Sequence, residues 1–93
     1  MTDDELMKLT LKYANSHSEK FGFKIRGNKE DIKRDENGWA FIYLDAVPSS
    51  NPIRATDHAS VMMKCEANLI DHLIRDGHKG NILIFPMEAK DED

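Results

Sequence analysis

The chain has little cysteine, little proline and no long apolar run. Cys65 is the only cysteine among the 93 residues, so no internal disulfide can form. No stretch approaches the roughly 18–20 apolar residues that span a bilayer. The first residues, MTDDELMK, are acidic and polar, with neither the cationic start nor the apolar core of a secretory signal. Together these absences favour a reducing, cytoplasmic setting and no membrane. There is no excess of basic charge either. The formal net charge is −4, whereas a general nucleic-acid binder is usually basic. A phosphate-binding glycine loop is missing as well.

What the chain does have is the composition of a small globular domain, 40% hydrophobic and 32% charged. The charge is unevenly spread. EAKDED, residues 88–93, sets four carboxylates against Lys90, and a disordered acidic tail is expected there. Residues 1–87 are expected to form a single domain. Within it, residues 21–38 are slightly basic, with Lys24, Arg26, Lys29, Lys33 and Arg34 against Glu30, Asp31, Asp35 and Glu36.

Patterning predicts the order α-β-(β)-β-α-β. Thr2 and Glu5 have capping-box spacing, and Leu6, Leu9 and Tyr13 fall on one helical face, so a helix is expected from residue 3 to about 20. FGFKIR alternates as a half-buried strand, DIKR is a candidate short strand, and RDENGW reads as a hairpin turn. WAFIYLDA and NILIFP are apolar on both alternating sets, which implies that both sheet faces are covered. Opposed helices would achieve that. So would two helices on one face and a second copy on the other. The remaining possibility is that the strands are less symmetric than they look. A second helix, capped by Thr56 or Asp57, is expected to run to about Asp76, with Gly77 as its stop. The fold class is α+β: a two-layer sandwich of two helices on an antiparallel or mixed sheet of three or four strands.

HASVMMKCEANLIDH spaces His58, Cys65 and His72 seven residues apart. Seven residues of helix advance about 10.5 Å, too far for neighbours to share an ion that reaches its ligands at ~2.0–2.3 Å. No metal or other cofactor is expected. On a wheel of about 100° per residue, the apolar positions of this helix form two arcs covering some two-thirds of its circumference. It should therefore be mostly buried, with Cys65 as a small core residue and an inert thiol. Glu66 falls between the arcs. Either it reaches out along a seam, or it is a carboxylate of raised pKa near Tyr13, His17 or His58.

VPSSNPIR offers Ser49, Ser50, Asn51 and Arg54 on a loop at the end of the central strand. With His58 and Glu66 these are the candidate ligand- or partner-binding residues. DGHKGN, with Lys79, is a weaker candidate anion-binding turn. Lys24, Arg26, Lys33 and Arg34 are candidate phosphate contacts, with Trp39 and Tyr43 available for stacking if their face is exposed. The acidic residues among them argue for a solvated hairpin instead, and nucleic acid is the less favoured partner.

DENGWAFIYL followed by a loop and a helix resembles, in layout only, the hairpin-then-helix order of small HicB-type antitoxin domains. No residue role follows from that likeness. No nucleophile, base and oxyanion donors come together in the sequence. The expectation is therefore a non-enzymatic protein-binding or inhibitor module of antitoxin, immunity or phage-modulator type, and a homodimer. The alternative is a small enzyme or ligand binder with a pocket formed by Glu66, His58 and the 47–54 loop.

Overall fold

A computed structural model describes residues 1–47 and 53–86, apart from the side chain of Pro86. Ser49, Ser50, Asn51 and the acidic tail lie outside the described residues.

Helix α1 is Asp3–Ser18. Its capping box is closed: the Glu5 N–H donates to Thr2 Oγ1 at 3.1 Å, and the Thr2 N–H donates to Glu5 Oε1 at 3.2 Å. These bonds hold the Glu5 carboxyl below the usual range. A 3-10 turn, Glu19–Phe21, ends the helix, so Phe21 belongs to this turn and not to the following strand. Strand β1 is only Lys24–Arg26 and β2 is Ile32–Arg34, with a second 3-10 turn, Lys29–Asp31, between them. The hairpin to β3, Ala40–Val47, is closed by Asp35, whose Oδ1 accepts from the N–H groups of Asn37 and Trp39 at 2.9 Å each.

Helix α2 is Ala55–Arg75. It begins before Thr56 and Asp57, which are both helical. Arg54 occupies the cap with extended backbone and no side-chain cap bond. Gly77, at φ +80°, takes the left-handed position just past the helix. Strand β4 is Ile82–Pro86.

The sheet is mixed. β4 runs parallel to β3, with Ala40 opposite Ile82 and Tyr43 opposite Phe85. β1 and β2 both run antiparallel to β3, one pairing with Asp45–Val47 and the other with residues 40–42. Backbone parity fixes the edges. The Ala40 N–H donates to Asn81 O, so even residues of β3 turn their polar groups towards β4. Odd residues turn theirs the other way, as Trp39 O shows by accepting from Asp35 N–H. Both backbone groups of Ile25 are bonded to the Asn15 side chain, so Lys24 and Arg26 are the residues that face β3. Their partners Val47 and Asp45 are odd. β1 and β2 therefore form one interrupted rank along the edge opposite β4. At the interruption, Gly27 is pressed onto the core: a Cβ there would stand 2.9 Å from Leu44 Cδ2.

Both helices pack on one face. The core holds Ile25, Ile32, Ala40, Ile42, Leu44, Ile82 and Ile84 from the sheet. Leu6 and Met7 come from α1; Val61, Met62, Cys65, Leu69 and Leu73 come from α2. Each fully buried Leu, Ile or Val contributes about 1.5–3 kcal/mol over its exposed state. Thr10 and Ala14, one turn apart on α1, are small and fully buried, which lets α2 approach closely: Cys65 Sγ lies 3.3 Å from Thr10 O.

Both helices share one face, as a two-layer sandwich requires, and no described element packs on the other, so the expected cover of both faces of β3 is not met among the described residues. Nor is α2 mostly buried. Only the arc from Val61 to Leu73 is in the core. Met63 is 72% and Ile74 59% exposed, and of the second arc only Ile70 packs against the core.

Candidate functional site

The regular spacing of His58, Cys65 and His72 marks the line along which α2 meets the rest of the chain. Each residue has a different neighbour. His58 packs edge-on to Phe23, with ring centroids 6.1 Å apart. Its Nε2 is buried without a partner among the described residues, and burial pushes its pKa down against the opposing pull of Asp45. Burial, reinforced by the neighbouring Glu66 charge, pushes the Cys65 thiol up to about 12, so it is not a nucleophile at neutral pH. The Tyr13 hydroxyl and His72 Nδ1 are hydrogen-bonded at 3.2 Å, and His72 Nε2 lies 3.2 Å from Asp76 Oδ2. His17 Nε2 accepts from Asn68 Nδ2 at 2.6 Å, and burial with Lys64 and Lys20 nearby lowers its pKa.

Glu66 is half-buried, and Oε2 accepts the backbone N–H of Ile84 at 3.0 Å. Its bond goes to the outer edge of β4 and not to Tyr13, His17 or His58. Eight residues along α2 separate Glu66 from His58, about 12 Å, and the two do not converge. Arg54 is exposed at the start of α2. Among the described residues, no group of three or more His, Cys, Asp or Glu side chains is placed to hold a metal ion.

Asn15, which the pattern did not single out, does at β1 what Glu66 does at β4. Its Oδ1 accepts from the Ile25 N–H at 2.8 Å, and its Nδ2 donates to Ile25 O and Leu11 O at 3.0 Å each. An amide side chain thus takes the place of a neighbouring strand. On β4, Ile82 N–H is bonded to Gly80 O, Ile84 N–H to Glu66, and Pro86 has no N–H. The outward donors of β4 are all accounted for, and strand addition at that edge is disfavoured.

The uncovered sheet face is different. By alternation, Trp39, Phe41, Tyr43, Asp45 and Val47 share it, and the register adds Leu83 and Phe85 on one side and Lys24, Arg26 and Lys33 on the other. Phe85, 36% exposed, lies between two rings: its centroid is 6.2 Å from Phe41 and 5.4 Å from Tyr43, near parallel to both. Arg26 is held to Asp45 at 3.1 Å. Arg34 leaves this group, since it reaches Asp3 on α1. Of the four basic candidates, Lys24, Arg26 and Lys33 are brought together, and of the two stacking candidates Tyr43 joins the ladder. Phe41 and Phe85 are its other members. Alternation with Tyr43 was the signal for the first; the long, helix-bearing connection between β3 and β4, which suits parallel strands, was the signal for the second.

Among the described residues, no helix is long and apolar enough to cross a membrane. Searches against protein-family models, curated proteins and solved structures return no match for this chain.

Proposed function

We propose that the protein is a cytoplasmic, non-enzymatic protein-binding module of the antitoxin, immunity or modulator kind, and that it binds through the uncovered sheet face. One observation carries this reading: large aromatic and aliphatic side chains form a continuous ladder on a face that, among the described residues, no element packs against. Contiguous apolar surface rimmed by charge is the usual mark of a protein interface. The clipped edges support the same choice, since they steer association away from strand addition and towards the face. The enzyme alternative has less behind it, because Glu66 and His58 serve separate packing roles.

The test is capture of bound protein from the native cell, using the wild type and variants. Phe41→Ala and Tyr43→Ala should each abolish capture while the fold is retained. Glu66→Gln and His58→Ala should leave it intact. Capture that survives both face substitutions, or is lost with Glu66→Gln in a folded protein, contradicts the proposal.

A further inference from the structure

The reading of the sheet face as a binding surface leaves its occupant open, and the inference here rests on that reading. We infer that the face seats a second copy of this chain, with Phe85 of each copy lodged between Arg26 and Lys33 of the other.

The face has three ranks. Lys24, Arg26 and Lys33 form a cationic rank on β1 and β2, Phe41 and Tyr43 the centre on β3, and Leu83 and Phe85 an aromatic rank on β4. A two-fold axis running across the strands would set one cationic rank on the other. A two-fold axis along the strands instead lays each cationic rank over the partner's Leu83 and Phe85. Guanidinium and ammonium groups are attracted to ring faces, so the second arrangement is self-complementary and the first repels itself.

The levels along the strands also agree. Phe85 is level with Tyr43, Lys33 with Phe41, and Arg26 with Asp45. An axis along the strands preserves these levels. The partner's Phe85 therefore arrives between Lys33 and Arg26, where β1 breaks from β2. A concavity of about 430 Å³ lies at this break, lined by Arg26, Gly27, Asn28, Asp31 and Asp45. Of its lining, Arg26 and Asp45 belong to the open face.

Eight residues of β3 by three ranks make a patch of about 26 by 14 Å. That is small against the ~800 Å² per partner of a standard interface and lies in the size range of weak, transient association.

Sedimentation equilibrium of the full chain from about 5 to 500 μM should show a monomer–dimer equilibrium. Phe85→Glu should weaken it at least ~30-fold, as loss of an aromatic anchor seated in the partner does. Geometry is read by cross-linking. Phe85→Cys mixed with Lys33→Cys should form the mixed disulfide faster than either variant forms its own. Cys65 is buried and stays silent. A monomer at every concentration, a dimer indifferent to Phe85→Glu, or faster homotypic linkage of Lys33→Cys overturns the inference. If the protein is monomeric and a 20-residue oligothymidylate shifts the β3 amides, the occupant is single-stranded nucleic acid. If it is monomeric but captures a protein through Phe41 and Tyr43, the binding-face reading stands and only self-pairing fails.

Discussion

Both faces of β3 carry large apolar side chains, and their fates are opposite. Ala40, Ile42 and Leu44 are sealed beneath both helices, whereas Phe41 and Tyr43 remain half-exposed. Residue type distinguishes them in advance only weakly. The covered set is aliphatic and compact, suited to close packing against helices. The open set is aromatic and lies beside a row of cations. Aromatic rings present large area at low entropic cost, which suits a surface that must be covered only when a partner arrives.

The largest effect should come from the sealed side. Leu44→Ala or Ile42→Ala should cost about 2–5 kcal/mol in urea unfolding, through lost transfer energy and a residual cavity. Phe41→Ala on the open side should cost under ~1 kcal/mol in the dilute monomer. Equal losses would erase the distinction between the faces.

Next in size is the edge. Asn15→Ala removes the groups that satisfy both Ile25 N–H and Ile25 O, and should cost about 1–3 kcal/mol with faster hydrogen exchange across β1. Glu66→Gln should be close to neutral, because the amide oxygen still accepts from Ile84. A large loss in that variant would mean that the charge of Glu66, and not its acceptor, matters.

A smaller, pH-dependent effect belongs to the helix seam. His17 and His58 have folded-state pKa values below the ordinary 6.5, mainly from burial. The unfolded chain then binds more protons than the native one near and below that value, so stability rises with pH there. Their contribution is complete above about 6.5 and is lost progressively as pH falls below it. The thermal midpoint should be lower at pH 5 than at pH 7.5, and His58→Gln should flatten the profile. A profile unchanged in that variant would remove His58 from the account. Smallest of all, Arg75→Ala breaks only the exposed pair with Asp71 and should cost under ~0.5 kcal/mol.

Much of the framework was legible in the residues. Thr2 and Glu5 announced α1, Asn37 and Gly38 the hairpin, and Gly77 the end of α2. What failed was the inference from apolarity to burial. Met63 and Ile74 extend the apolar arc of α2, but a wheel does not say which arc has something to pack against. The same blindness made β3 look covered twice. The edge clips were illegible for another reason. Each joins a side chain to the backbone of a residue distant in sequence, Asn15 to Ile25 and Glu66 to Ile84, and hydrophobic periodicity carries no trace of such pairings. Asn15 offered one hint, a poor helix former placed within a helix.

The central claim is that contact with a partner is confined to the open side of the sheet. A backbone amide shift series, recorded from about 10 μM to 1 mM, tests it most directly. The account predicts concentration-dependent shifts in β3, β4 and the β1–β2 rank, strongest around Phe41, Tyr43 and Phe85. Shifts centred on Met63 and Ile74 of α2 would contradict it.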